Sequence, residues 1–227
     1  MARSTERGVT AIPDPFHLRV AQVALSVADR HGFALGGGHA LLAHGLVHRP
    51  TEDVDLFTDV DGGVRTATTL VRAALADAGL AVEAPPEASE LTEMFYGMDD
   101  AFEELDVSSG DQAVRISLGR LPRAHAPVVM SVGPVLHLDD LLGSKTCALA
   151  TRGQVRDYID VGAALRRGYD RERLLAMARQ HDPGLGDDEV AASMRRLDAL
   201  PDEAFGYYGL DAAAVTLVRA AFTAWPR

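Results

Sequence analysis

The chain has 227 residues, 47% of them hydrophobic, and a formal net charge of −11. This length and apolar content allow a sizeable core in one domain, or in a larger domain with a smaller one attached. Apolar runs fall short of the roughly 18 to 20 residues that span a bilayer, and charges interrupt the segment where a secretory signal would lie. These features exclude a membrane protein and predict a cytoplasmic one. The lone cysteine, Cys147, excludes an internal disulfide and a thiolate metal cluster.

Charge is distributed unevenly along the chain. Residues 77–111 contain eleven acidic side chains and no basic ones, whereas residues 145–179 contain eight basic and four acidic ones. The acidic total argues against non-specific nucleic-acid binding over the whole surface, but the second segment could meet phosphates. Most of its arginines, taken singly, are equally well explained as solvated helix faces.

The first elements form a helix, a strand and a glycine turn. Apolar residues at helical spacing predict a helix over 16–31 that Gly32 ends, followed by a short buried strand over 33–35. Glycines 36–38 then precede HALLAHGL, which predicts a short helix whose first amides face the turn. Free amides at a helix start favour an anion such as phosphate. The GGGH pattern alone is weak evidence, because it matches neither common glycine-rich phosphate motif.

Two carboxylates follow, Asp53 and Asp55, on a predicted strand. The side-chain period of two puts both on one face, and Arg49 and Thr51 fall on the same side of the extended run. Carboxylate oxygens suit Mg²⁺ or Mn²⁺, which keep other positions for water and substrate phosphates. The segment therefore predicts a site in which Asp53 and Asp55 hold a metal against a nucleoside triphosphate.

These residues resemble a known family. The stretch GGGHALLAHGLVHRPTEDVDLF is similar to the signature GG-x-AL-x(2-3)-HG-x(2-3)-R-x-T-x-D-x-DLF of AbiEii/AbiGii-type (MenT-like) nucleotidyltransferases, a toxin-related branch of the DNA polymerase beta-like superfamily. The resemblance implies an α+β fold, with a mixed sheet flanked by helices and a C-terminal helical bundle. It implies transfer of a nucleoside monophosphate to an acceptor hydroxyl with release of pyrophosphate. It also implies a toxin with a cognate antitoxin, and the 3′ end of a tRNA as the acceptor.

A second segment resembles the family's other signature, DL-x(2)-K-x-x-AL-x-x-R-x(3)-RD-x-x-D. The matching positions are Asp140, Leu141, Lys145, Ala148, Leu149, Arg152, Arg156, Asp157 and Asp160. Helical spacing puts Lys145 and Arg152 on one face, and a lysine within an apolar helix predicts an anionic partner. The resemblance makes that anion the triphosphate. It also ranks Asp157 above Asp160 as a metal ligand or general base. Ion pairing with Arg152 and Arg156 on the helix surface is the alternative for both acids.

The elements between the two signatures lack an expected acid. The sequence predicts a helix over 63–78, strand signals over 80–83, and two strands over 101–108 and 113–119. Many superfamily members carry a third carboxylate on the second strand of such a pair, which here has Ser117 in that region and no Asp or Glu from 113 to 138. Asp157 or Asp106 would then complete the site, or Asp53 and Asp55 would suffice, or catalysis has been lost.

The C-terminal third is predicted to be helical. Asp139 or Asp140 is the expected N-cap of a helix, and later helices are predicted over 161–167, 171–180, 188–199 and 211–224. Short helices separated by Pro and Gly suggest a bundle. Its aromatic residues are expected in the core rather than as base-stacking platforms; they are Tyr207, Tyr208, Phe222 and Trp225. The chain would divide into a nucleotidyltransferase core, 1–137, and a helical domain, 138–227.

The combined interpretation assigns a role to each motif. The catalytic residues would be Asp53, Asp55, Lys145 and Asp157. The nucleotide would be bound by Gly37, Gly38, Arg49, Thr51, Lys145 and Arg152. Two alternatives stay open: an antibiotic-modifying nucleotidyltransferase with a small acceptor, which suits the acidic charge, and a non-catalytic nucleotide-binding protein, suggested by the missing strand acid.

Overall fold

The computed structural model describes residues 14–85 and 101–227, so part of the acidic stretch lies outside it. Seven strands form one sheet in the order β3-β4-β5-β2-β1-β7-β6. Their bounds are β1 Ala34–Leu35, β2 Asp53–Thr58, β3 Ala81–Glu83, β4 Phe102–Ser109, β5 Gln112–Arg120, β6 Val128–Met130 and β7 Gly133–Val135. The pairs β2–β5 and β1–β7 are parallel and the others antiparallel, which confirms the mixed sheet.

Nine α-helices occur in the described ranges. They are α1 Pro15–Ala28, α2 Gly37–Ala43, α3 Val64–Asp77, α4 Leu138–Thr151, α5 Val155–Arg166, α6 Arg171–His181, α7 Asp187–Ala199, α8 Glu203–Gly206 and α9 Ala212–Ala221. Helices α1 and α3 pack together, and α4 packs against α5, α6 and α7. This confirms an α+β fold with C-terminal helices. No helix in the described part of the chain is long and apolar enough to cross a membrane.

Strand β2 lies inside the sheet and alternates as its sequence predicts. Val54, Leu56 and Thr58 are fully buried, whereas Asp53 and Asp55 are only partly covered on the other face. Parallel pairing with β5 sets Asp53 beside Arg115 and Asp55 beside Ser117. The apolar face anchors the strand in the core, so both carboxylates are held on the opposite face.

Three helix starts differ from the sequence predictions. Helix α2 begins at the glycines themselves, with Gly36 as its N-cap. The N-cap of α4 is His137, whose Nδ1 accepts the Asp139 amide at 3.2 Å, so the prediction of Asp139 or Asp140 was wrong. Helix α5 begins at Val155, six residues before the predicted start at 161, because Gln154 and Asp157 form a capping box there.

Candidate active site

A cleft of about 1330 Å³ separates the polar face of the sheet from α4. The β2 residues that line it are Asp53, Asp55 and Phe57, and α4 contributes Lys145 from the facing wall. Gly37, Gly38, Arg49, Thr51 and Arg152 also line it. The structure therefore brings eight of the nine predicted site residues to one cavity, although they come from distant parts of the chain.

The glycines of α2 allow this helix to approach β2 closely. Gly37 has φ +56°, and a Cβ there would overlap the carboxylate of Asp55. A Cβ at Gly38 would lie 2.7 Å from Oγ1 of Thr51. Neither position can therefore carry a side chain without displacing a cleft residue. Binding of phosphates by these two glycines stays a prediction.

The two strand aspartates are costly to ionise without a cationic partner. Burial and then the charge of Asp55 raise the pKa of Asp53 to about 6. Burial also raises the pKa of Asp55, although the charges of Lys145 and Arg156 oppose this rise. A divalent cation would offset this repulsion, and the hard oxygen donors suit Mg²⁺ or Mn²⁺. The Oγ1 atom of Thr51 is buried and has no hydrogen-bond partner among residues 14–85 and 101–227, which also fits a ligand-binding site.

Asp160 holds two of the predicted nucleotide-binding cations. Its carboxylate accepts two hydrogen bonds of 2.7 Å from Arg49 and lies 3.1 Å from Nζ of Lys145. Asp160 is fully buried, which raises its pKa, but the charges of Lys145 and Arg49 outweigh burial and the pKa lies below its ordinary value. One carboxylate paired with two cations leaves a net positive charge on this wall of the cleft.

Asp157 forms the ion pair with Arg152 that the sequence allowed as an alternative, but it does so as a buried helix cap and not on a helix surface. Its oxygens accept bonds of 3.0 Å from Nε and Nη2 of Arg152 and one of 3.1 Å from the Gln154 amide. It is fully buried and is not among the residues that line the cleft. The contacts of Asp157 are thus those of a helix cap that orients Arg152, and a direct role at the metal stays a prediction.

A carboxylate missed by the sequence analysis lies next to Ser117. The antiparallel register pairs Ser117 with Glu104 of β4, so Asp55, Ser117 and Glu104 form one row across three strands. Glu104 lines the cleft, is 7% exposed, and accepts a bond of 3.3 Å from the Ser117 hydroxyl. The sequence could have revealed this carboxylate, because the predicted turn at Gly110 and Asp111 fixes the hairpin register and so places Glu104 opposite Ser117.

Asp106 occupies the neighbouring row and also lines the cleft. It pairs with Arg115, at 2.9 Å from Nε and 3.3 Å from Nη2, and Arg115 lies between Asp106 and Asp53 in the sheet. The carboxylate of Asp106 is therefore directed to a neighbouring arginine. Of the two β4 acids that line the cleft, Glu104 belongs to the row of Asp55, whereas Asp106 belongs to the row of Asp53.

The C-terminal aromatic residues divide into two groups. Phe222 and Trp225 are buried, as predicted, but Tyr207 is 68% exposed and Tyr208 lines the cleft with the guanidinium of Arg49 5.7 Å from its ring centre. The interpretation of all four as core was wrong for Tyr207. Tyr207 is the C-cap of the short helix α8, whose buried residue is Phe205.

Another group with potential metal ligands lies at the start of α4. Ligand atoms of His125, His137 and Asp139 lie within 4.8 Å of one another. The Asp139 carboxylate, however, already accepts bonds from Tyr169 at 3.0 Å and Arg173 at 2.8 Å, and Nδ1 of His137 caps α4. These contacts explain the cluster without a metal.

Comparisons with known proteins agree with this architecture. A family model described as nucleotidyl transferase AbiEii toxin, type IV toxin–antitoxin system, matches residues 22–205. No curated protein matches the chain. Among solved structures, MenT4, a nucleotidyltransferase toxin from Mycobacterium tuberculosis H37Rv, has a TM-score of 0.60 at 14% identity, covering 92% of this chain and 82% of its own.

Two Helicobacter pylori structures share the fold as well. JHP933 has a TM-score of 0.57 at 14% identity, with 94% of this chain and 90% of that one covered. A putative nucleotidyltransferase has a TM-score of 0.55 at 14% identity, with 91% of each chain covered. The family model spans most of the sequence and both signature segments. The chain therefore belongs to the AbiEii family of nucleotidyltransferase toxins and is a nucleotidyltransferase.

Proposed function

We propose that the protein is a metal-dependent toxin that transfers a nucleoside monophosphate from a triphosphate to the 3′ end of a tRNA. The observation that carries this proposal is the convergence of Asp53 and Asp55 on β2 with Lys145 on α4 across one cleft. Carboxylates that suit a metal thus face a cation that suits a phosphate, which is the pairing that nucleotidyl transfer requires.

The strand acids and the glycine helix would form the triphosphate end of the site. Asp53 and Asp55 would hold Mg²⁺ or Mn²⁺, which supplies charge neutralisation and orientation of phosphate oxygens when bound. Gly37 and Gly38 carry no side chain over the start of α2, and beside them Thr51 offers a hydroxyl without a hydrogen-bond partner in the described part of the chain. These groups would position the phosphates for in-line displacement.

The facing helices would supply positive charge. Lys145 and Arg49 are held against Asp160 and Arg152 against Asp157, so each cation has a fixed position before the substrate arrives. Such preorganisation lowers the cost of stabilising charge that develops on the leaving pyrophosphate. We therefore assign Asp157 and Asp160 positioning roles.

The transfer itself exchanges one phosphorus–oxygen bond for another. The acceptor oxygen forms a bond to the α-phosphorus, the bond to the β-phosphate bridge breaks, and pyrophosphate leaves with that electron pair. The hydroxyl proton passes to a carboxylate in the cleft. Glu104 is the candidate acceptor of that proton, because it lies in the row of Asp55.

A transfer assay tests this reaction. The protein is incubated with each labelled triphosphate, Mg²⁺ or Mn²⁺, and either tRNA or an aminoglycoside, and both label transfer and pyrophosphate are measured. We expect labelled tRNA, loss of transfer in Asp55→Asn, and retention in Asp198→Asn, a surface aspartate that pairs with Arg227. Label on the aminoglycoside alone would replace the acceptor assignment. No pyrophosphate with any triphosphate would refute the enzymatic proposal.

Family membership also implies an antitoxin, and a growth assay addresses this partner. Induction of the wild-type protein is expected to arrest growth in a bacterial host, and Asp55→Asn is expected not to do so. Co-expression of the neighbouring gene would identify the antitoxin by restoring growth. Equal growth arrest by the wild-type protein and Asp55→Asn would show that toxicity does not depend on the reaction in this cleft.

A further inference from the structure

One large aromatic side chain lies exposed at the margin of the cleft. Tyr207 is 68% exposed, although Phe205, two residues earlier, is fully buried. The Tyr207 hydroxyl donates to the Glu52 carboxylate, and its ring meets that of Tyr208 edge to face, with centroids 5.2 Å apart. Because these contacts fix the ring while most of the side chain stays accessible, Tyr207 presents a preformed aromatic surface.

A depression of about 520 Å³ next to this ring continues from the cleft. We call it the Tyr207 groove, and its residues are Glu52, Gly153, Gln154, Val155, Arg156, Leu200, Ala204, Tyr207 and Tyr208. Glu52, Arg156 and Tyr208 also line the cleft, so the two spaces adjoin. A molecule that reacts at Asp53 and Asp55 and is longer than the cleft could therefore extend along Tyr207.

The chemistry of the groove suits a nucleic-acid strand. Nucleobases stack on aromatic side chains whatever their sequence, and an arginine beside such a ring meets the adjoining phosphates. The net charge of −11 makes most of the protein surface unfavourable for RNA. Stacking and arginine–phosphate contacts near the cleft would therefore have to supply most of the affinity for RNA. A small acceptor held wholly within the cleft would not need them.

We infer that the Tyr207 groove binds the nucleotides that precede the reacting 3′ end of a single-stranded RNA acceptor. A base would stack on Tyr207, and the phosphate that follows it would lie near Arg156. This inference rests on the proposed function, because it assumes an RNA acceptor. It adds the direction from which that acceptor enters and the residue that holds it.

The test compares three variants. Tyr207→Ala removes the ring, Tyr207→Phe keeps the ring and loses the bond to Glu52, and Leu217→Ala removes a side chain that is 58% exposed on α9 outside the groove. Binding of a fluorescent single-stranded RNA with a CCA end is measured by anisotropy, and triphosphate affinity is measured separately. Tyr207→Ala should weaken RNA binding at least about fivefold, as the loss of one stacked base predicts. RNA binding by Tyr207→Phe and Leu217→Ala should stay within about twofold, since both variants keep the stacking ring. Triphosphate affinity should stay within about twofold in all three variants, since none of them changes the triphosphate end of the cleft.

Acceptor length provides an independent measurement. A dinucleotide is too short to fill both the cleft and the groove, so its rate of labelling should be the same in Tyr207→Ala and wild type. Unchanged RNA binding by Tyr207→Ala, or an equal loss with the dinucleotide and the longer RNA, would overturn the inference. Either result would leave the proposed reaction intact, provided the wild-type protein still labels RNA. If it labels no RNA, both the RNA acceptor and the groove assignment fail.

Discussion

Single carboxylates in this protein have opposite electrostatic roles. Asp160 is buried between Arg49 and Lys145 and is stabilised as an anion. Asp53 and Asp55 are partly covered on one face of β2, and desolvation raises the pKa of each, so both resist ionisation. The first arrangement fixes cations in the cleft wall. The pair of Asp53 and Asp55 would be stabilised in its ionised form by a bound metal cation.

Replacing Asp160 should destabilise the fold. Asp160→Asn leaves two buried cations without their counter-charge, so the free energy of unfolding should fall by about 3 to 5 kcal/mol in urea titrations at pH 7. The surface control Asp198→Asn, which loses only the exposed pair with Arg227, should change it by less than about 1 kcal/mol. Because the folded pKa of Asp160 is lowered, the difference from wild type should shrink as pH falls below about 4. A loss no larger than that of the control would contradict the buried pairing.

Replacing Asp53 should have the opposite effect on stability. Its pKa of about 6 in the folded protein exceeds the ordinary value, so ionisation opposes folding as pH rises from about 4 to 6. Without metal, Asp53→Asn should therefore be more stable than wild type by about 1 kcal/mol at pH 8, after allowance for partial exposure, and equal to it below pH 4. Transfer activity should be lost. Denaturant titrations at several pH values check this, with the exposed Asp61→Asn as the control, and lower stability at pH 8 would disprove it.

Glu104 and Glu103 provide a matched pair on one strand. Their side chains point to opposite faces of β4, and only Glu104 lines the cleft. Glu104→Gln should lower kcat at least about tenfold by removing the proton acceptor, whereas Glu103→Gln should leave it within about twofold. Steady-state rates of pyrophosphate release measure both. Equal rates in the two variants would remove Glu104 from the mechanism.

Among the elements, helix α2 can lie close to β2 because its first two residues are glycines without side chains. Its first residue has positive φ, and both glycines leave room for groups from the β2 segment. The sequence predicted a turn followed by a helix, but it could not reveal that the glycines belong to the helix. That assignment depends on how closely β2 approaches, which is set by tertiary packing.

Two glycine substitutions separate backbone strain from close approach. Gly45 has φ +63°, and a methyl group there would meet no atom of the described residues within 4 Å apart from its chain neighbours. Gly45→Ala should therefore cost only about 1 kcal/mol of stability and preserve activity. Gly37→Ala adds an overlap with Asp55, so it should cost more and abolish transfer. Thermal unfolding and the transfer assay compare them. Similar behaviour of the two variants would show that α2 can move away from β2.

At the scale of the whole molecule, one contiguous core joins the sheet and the C-terminal helices. The buried cluster runs from Phe16 to Trp225, and the ion pair of Arg49 with Asp160 crosses the predicted boundary at residues 137 and 138. Division into two domains stays a prediction. The shared core makes independent folding of the two parts unfavourable.

The two parts should therefore unfold together. Trp225 is the only tryptophan and is 4% exposed, so its fluorescence reports on the C-terminal helices alone. The urea concentration at the midpoint of the fluorescence change should equal the concentration at which amides of β2 and β5 lose their protection from hydrogen exchange. Separate midpoints would indicate two domains that fold independently.

The sequence by itself determined the local elements and the two motifs. Period-two alternation sets the faces of β2, and helical spacing predicts that Lys145 on α4 and Arg152, its C-cap, lie on one side, since both follow from backbone geometry alone. Only the tertiary structure decided the partners of these side chains. Asp160 meets Arg49 across 111 positions of sequence, and Glu104 reaches the row of Asp55 through two strand pairings. Such contacts depend on register and packing between distant segments, which no local pattern encodes.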